Sequence, residues 1–162
     1  MFKVAILTLS DKGSKGERED ASGPLIREMV KDLPAEVIHY EIIPDEKKEI
    51  IEALKKCADH LKADLILTTG GTGLSPRDVT PDATMEVIDK EVPGFAEAMR
   101  AESLKKTPHA MISRAIVGIR GSCLIVNLPG SPKGVRENLS VILPALPHAL
   151  SKLEGDPSEC GQ

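Results

Sequence analysis

At 162 residues the chain has room for one hydrophobic core, and 41% apolar with 28% charged residues is ordinary for a globular protein. A net charge of −4 gives no basic footprint for nucleic acid, and 2% aromatics with no Trp remove the stacking platforms of single-strand binders. Three scattered cysteines (Cys57, Cys123, Cys160) and four scattered histidines match neither a disulfide framework nor a zinc spacing.

The opening MFKVAILTLSDKG has a short apolar run with no small-residue cleavage site after it. No segment is long enough to span a bilayer, so the expected address is the cytoplasm. KVAILTL (3–9) is apolar and rich in branched residues, as a strand buried on both faces requires. SDKGSKGEREDASG (10–23) is too polar to pack and reads as a mobile loop. Ser22 or Gly23 then opens a helix with Pro24 in its first turn, and Leu25, Ile26, Met29, Val30 and Leu33 fall at helical spacing. AEVIHYEII (35–43) reads as a second strand, ended by Pro44, with Asp45 available to cap a helix carrying Ile50, Ile51, Leu54, Ala58 and Leu61 on one face. ADLILTT (63–69) is a third strand. Helices are expected at 81–90 and 94–105, broken near Pro93. RAIVGIRGSCLIVNL (114–128) reads as two strands about a Gly121-Ser122 turn. PGSPKG opens a final helix that Pro144 and Pro147 must kink or divide.

The order β-α-β-α-β-α-α-β-β-α predicts a three-layer α/β/α sandwich with a mostly parallel central sheet and one antiparallel strand. Residues 1–153 would form one domain, and 154–162 a flexible tail.

In such a sheet ligands bind beyond the carboxyl ends of the strands. Four loops leave such ends: 10–23, PDE after the second strand, TGGTGLSPRDVTP after the third, and LPGSPKG after the last. TGGTG is neither a Walker A loop nor a dinucleotide fingerprint. Its glycines allow positive φ and close approach of an anion to main-chain N–H groups, or else they form a tight turn with no ligand. Thr69 and Thr72 add hydroxyls. In LPGSPKG, Gly130 permits a turn and Ser131 caps a helix with Pro132 in its first turn. Such a helix start attracts phosphate, and Lys133 adds a charge beside it. Two anion-friendly loops in one sheet point to a polyphosphate ligand.

Asp45 and Asp78 fall at the same end of the sheet, where a nucleotide-borne Mg²⁺ needs only one or two carboxylates. The plainer alternatives are a helix cap for Asp45 and an Arg77 salt bridge for Asp78. Asp82 suits a helix first turn, Asp11 and Asp20 suit solvent, and Arg114 is either a surface residue or a phosphate contact. No protein nucleophile stands out, so the attacking group would come from a substrate.

TTGGTGLSPRDVTPDAT, SDKGSKGEREDASGPLI, IIPDE, VPGFAEAMR and NLPGSPKGVRENL together resemble the MogA/MoaB family of molybdenum cofactor biosynthesis, over nearly the whole chain. The resemblance implies a molybdopterin adenylyltransferase that joins molybdopterin and ATP with Mg²⁺ and releases pyrophosphate. It makes Asp45 and Asp78 the acidic pair and metal holders. It places Ser10, Thr69, Gly70, Gly71, Thr72 and Gly73 on one binding wall. Pro129, Gly130, Ser131, Pro132 and Lys133 form another, with Ser113 and Arg114 as a third element. It further implies a homotrimer or homohexamer, a downstream metal-insertion protein as acceptor, and molybdenum or tungsten as the eventual metal. The competing reading is a molybdopterin carrier without chemistry.

Overall fold

All the branched apolar runs become strands of one sheet in the computed structural model, which describes residues 1–161. The strands are β1 (Phe2–Leu9), β2 (Ala35–Ile43), β3 (Leu65–Thr69), β4 (Lys90–Glu91), β5 (Val117–Arg120) and β6 (Cys123–Leu128), in the order β2-β1-β3-β6-β5-β4. β2, β1, β3 and β6 pair in parallel; β5 is antiparallel to both of its neighbours, so it alone runs against the rest. The helices are α1 (Asp11–Ser14), α2 (Ser22–Met29), α3 (Lys47–Lys55), α4 (Thr80–Val87), α5 (Pro93–Leu104), α6 (Pro132–Ile142) and α7 (Leu146–Leu153). No helix among the described residues is long and apolar enough to cross a membrane.

Successive side chains of a strand point to opposite faces, and that alternation builds two cores. Val4, Ile6, Leu65, Leu67, Leu124 and Val126 pack against α2, α5, α6 and α7. Ala5, Leu7, Ile66, Cys123 and Ile125 pack against α3 and α4. The predicted three layers follow directly. Each fully buried Leu or Ile contributes about 1.5–3 kcal/mol.

Two elements depart from the expectation. The helix expected over 81–90 ends at Val87, and Lys90 and Glu91 instead pair with Ile119 and Gly118 as β4. Two charged residues carry no strand signal; the edge of β5 recruits them. Part of the polar 10–23 loop is helical, since the Ser10 hydroxyl accepts the Gly13 N–H at 2.9 Å and starts α1. A 3₁₀ turn at Leu143–Ala145 divides the last helix, as the prolines required.

The hairpin forms with Arg120 opposite Cys123, and Gly121 takes the positive φ of 58° at the first turn position. After α3 a π-turn (Lys56–His60) leads to Lys62 at φ 55°, the one positive-φ non-glycine residue among those described. The Ala63 N–H reaches back to the Cys57 carbonyl at 3.0 Å, so Lys62 occupies the helix-ending position that glycine ordinarily fills. Lys62→Gly is expected to stabilise the fold by about 1 kcal/mol, read as a higher urea midpoint at constant slope.

Cys57 and Cys123 are sealed in the second core, whereas Cys160 is exposed, its sulfur 3.4 Å from His148 of α7. Past α7, the Lys152 ammonium donates to the Asp156 carbonyl at 3.1 Å, and Asp156 accepts the Ser158 N–H and hydroxyl. Of the tail expected over 154–162, Gln162 lies outside the described residues. Glu154 stands with Met1, Lys3 and the Gly121–Ser122 turn at the amino edge of the sheet.

Candidate active site

The four parallel strands end together at Leu9, Ile43, Thr69 and Leu128, which brings all four loops to one edge. The two glycine loops touch. Gly70 donates its N–H to the Leu128 carbonyl at 3.1 Å, and the Thr69 hydroxyl donates to the Pro129 carbonyl at 2.6 Å. Gly130 lies so close to Gly70 that an added Cβ would sit 3.3 Å from its Cα. Gly70 and Gly71 adopt φ of 102° and 68°, open to glycine without strain. The Thr80 hydroxyl locks this turn by donating to the Gly70 carbonyl at 2.9 Å.

Beneath it lies a fully paired polar network. The buried Asn127 amide donates to the hydroxyls of Thr68 (3.1 Å) and Thr84 (3.0 Å), and its oxygen accepts the Ile116 N–H. Thr84 in turn donates to the Thr80 carbonyl at 2.8 Å. Buried polar groups are tolerated only when satisfied in this way, and here they fix α4 and the glycine turn to the sheet.

Two clefts flank the paired loops. The first, about 510 Å³, is walled by Ser10, Thr69, Gly70, Gly71 and the Gly130–Pro132 segment, with Asp20, Asp45 and Asp78 facing it. The second, about 380 Å³, has Thr72, Gly73, Ser113, Pro129 and Lys133 on its wall, with Arg100, Lys106 and His109 opposite. Ser131 borders both; its hydroxyl accepts the Gly134 N–H at 3.0 Å and starts α6. Every expected site residue therefore lines one cleft or the other except Arg114. Its guanidinium holds the Gly73 carbonyl (3.0 Å), the Asp78 carbonyl (2.6 Å) and both oxygens of Asp82.

The acidic residues divide by their surroundings. Asp45 does not cap α3, whose cap position is Glu46. Asp45 and Asp11 instead exchange bonds, each carboxylate accepting the other's N–H at 3.0 Å. Arg77 grips Asp11 with two bonds and reaches Glu46 at 2.7 Å, leaving the Asp78 carboxylate to the Ser75 N–H at 3.0 Å. Burial, with the like charges of Asp11 and Asp78 nearby, raises the Asp45 carboxyl above its ordinary value; Arg77 holds Asp11 below its own. Among the described residues no group of three or more His, Cys, Asp or Glu could enclose a metal ion. Asp45 and Asp78 both line the first cleft, which meets the one or two carboxylates that an ion arriving on substrate phosphates would need.

Asp20, expected in solvent, is the residue that sequence reasoning missed. It accepts the N–H groups of Ser22 and Gly23 (both 3.1 Å), the Thr8 hydroxyl (2.8 Å) and the Tyr40 hydroxyl. The only sequence signal was its place two residues before a helix start. Burial, then the Asp20 bond, pushes the Tyr40 hydroxyl from 10.0 up to about 12. Between those values the unfolded chain loses the proton and the folded chain keeps it, so stability falls as pH rises. Tyr40 is the sole tyrosine. The tyrosinate absorbance of the folded protein should rise with a midpoint near 12, and Asp20→Asn should lower it.

Residues 5–148 match a family described as "Probable molybdopterin binding domain". The chain belongs to this molybdenum cofactor biosynthesis family. Over 156 residues (94% of this chain, 88% of the relative) it is 46% identical to a molybdopterin adenylyltransferase of Helicobacter pylori strain J99. The family fold recurs in the crystal structure of the molybdopterin biosynthesis enzyme MoaB from Thermus thermophilus. That chain is 56% identical, with a TM-score of 0.91 and 98% of this chain and 100% of that one covered. The tungsten cofactor synthesizing protein MoaB from Pyrococcus furiosus is 40% identical, with a TM-score of 0.84 over 94% and 96% of the two chains.

Proposed function

We infer that this family member is a molybdopterin adenylyltransferase. The observation that carries the reading is the convergence of two glycine loops and two aspartates on one cleft, with a second cleft across the shared Ser131 wall. Two adjoining clefts suit two substrates whose reacting ends meet at that wall. An oxygen of the terminal phosphate of molybdopterin attacks the α-phosphorus of ATP. A new P–O–P bond forms, the bond between the α-phosphorus and the bridging oxygen to the β-phosphate breaks, and pyrophosphate leaves with the electron pair.

No protein nucleophile is needed, so the chain's work is positioning and charge balance. With the Gly70 N–H taken by Leu128 and the Gly134 N–H by Ser131, the N–H groups of Gly71, Thr72, Gly73 and Lys133 would hold phosphate oxygens, and the Lys133 ammonium would add its charge. Asp45 and Asp78 would hold Mg²⁺, which on binding neutralises phosphate charge. The exposed apolar side chains Leu74, Met85, Met111 and Ile112 support assembly into a homotrimer or homohexamer. Unbridged cysteines support work in the cytoplasm, where the adenylylated product would pass to a metal-insertion protein.

The test is purified protein with ATP, molybdopterin and Mg²⁺, reading pyrophosphate and adenylyl-molybdopterin together. Multiple turnovers establish the transferase. Tight molybdopterin binding without product would make the chain a carrier.

A further inference from the structure

Arg114 commits nearly all its donors to a single loop. Its Nε meets the Gly73 carbonyl at 3.0 Å, one terminal nitrogen meets Asp82 at 3.2 Å, and the other meets the Asp78 carbonyl at 2.6 Å and Asp82 at 3.0 Å. Its own backbone N–H donates to the Thr72 carbonyl at 2.8 Å. One residue thus binds the start, middle and end of segment 72–82. That segment borders both clefts: Thr72 and Gly73 line the second, and the Asp78 carboxylate faces the first. The loop closes on itself at Asp78, whose N–H donates to the Ser75 carbonyl at 2.9 Å while its carboxylate accepts the Ser75 N–H. Moving the Asp78 backbone therefore moves its carboxylate. On the other side, Ser113, next to Arg114 in the chain, lines the second cleft, and its carbonyl accepts a bond from Arg100 at 3.3 Å.

We propose that Arg114 is a positioning residue that couples the two clefts, so that a ligand seated against Ser113 and Gly73 sets the Asp78 carboxylate over the other cleft. The inference rests on the transferase reading and adds to it that the two substrates bind with positive coupling. A planar guanidinium bonded at three points transmits displacement as a rigid plate. A lysine ammonium at the same place is a point charge on a flexible stem and cannot span Gly73, Asp78 and Asp82 together.

The experiment measures affinity for α,β-methylene-ATP, whose α–β bridge cannot be cleaved, with and without saturating molybdopterin, by calorimetry. Wild-type affinity should tighten roughly fivefold or more when molybdopterin is present. In Arg114→Lys the tightening should vanish while each ligand alone binds as before. kcat should fall roughly ten- to hundredfold, with each KM rising only by the lost coupling factor. Asp82→Asn, which leaves Arg114 in place with a weaker partner, should show the same pattern to a lesser degree. A thermal melt of each variant reads the fold separately.

Wild-type coupling and kcat retained in Arg114→Lys, with only a lower melting temperature, would overturn the proposal in favour of a purely structural role. Loss of single-ligand affinity with the coupling intact would overturn it in favour of direct contact. Wild-type product without coupling of the analogue sinks this inference alone. Coupling without product leaves the Arg114 link between two ligand clefts standing and sinks the transferase reading, together with the part of the inference that concerns kcat.

Discussion

Asp78→Asn is expected to bind molybdopterin within a few-fold of wild type while kcat falls by roughly 10²–10³. Asparagine has the shape of aspartate, and its side-chain oxygen still accepts the Ser75 N–H, so the loop that closes at 3.0 Å in the native chain is kept. The Asp78 carbonyl that Arg114 holds is unchanged by the substitution. The negative charge facing the first cleft is lost. On the proposed reading that charge would balance a phosphate-borne cation and would count most where charge redistributes during transfer. A second readout accompanies the first. Asp78 is one of the like charges that raise the Asp45 carboxyl, so the variant's Asp45 ionises at lower pH. Activity that needs ionised Asp45 is lost as pH falls through its raised value, and this acid limb should move downward in Asp78→Asn. Initial rates across pH, with molybdopterin titrated by calorimetry, check both. Affinity lost in parallel with rate would contradict the assignment.

Gly71→Val is expected to cost about 3–5 kcal/mol of stability and to abolish activity, because two penalties fall on one position. The first is backbone: φ of 68° is left-handed, and a β-branched side chain resists it. The second is a collision. A Cβ at Gly71 would be driven into the Thr80 hydroxyl and would stand 3.3 Å from Asp45 Oδ1. The space a side chain at Gly71 would need is filled by Thr80 and Asp45. Pushed aside, Thr80 releases the Gly70 carbonyl and disturbs the Thr84–Asn127 network below it. Gly16→Val is the control, since Gly16 has a similar φ of 73° with nothing near its absent side chain. Urea midpoints of the two variants separate the penalties, and equal midpoints would remove the collision.

Much of this molecule was legible because its signals are local. KVAILTL, LILTT and CLIVNL announce buried strands, Gly121-Ser122 announces the hairpin, and Ser131-Pro132 announces α6. The four loops could be assigned to one edge as soon as the strands were parallel. What escaped depends on partners far along the chain. β4 exists because β5 offers an edge about thirty positions away. Arg77 meets Asp11 across 66 positions, and Arg114 meets Asp82 across 32. From sequence, an Arg77 salt bridge is only the plainer alternative for Asp78, and Arg114 reads as a surface residue or a phosphate contact. Asp20 looked solvated because nothing local shows that Tyr40, in another strand, would close over it.

The cysteine pattern has a practical consequence. Burial pushes the thiols of Cys57 and Cys123 up to about 11 and about 12, which leaves them without reactive thiolate at neutral pH. Cys160 is exposed, beside His148 of α7. A maleimide dye or resin should therefore attach the native chain at one point, with a uniform linkage and no engineered residue.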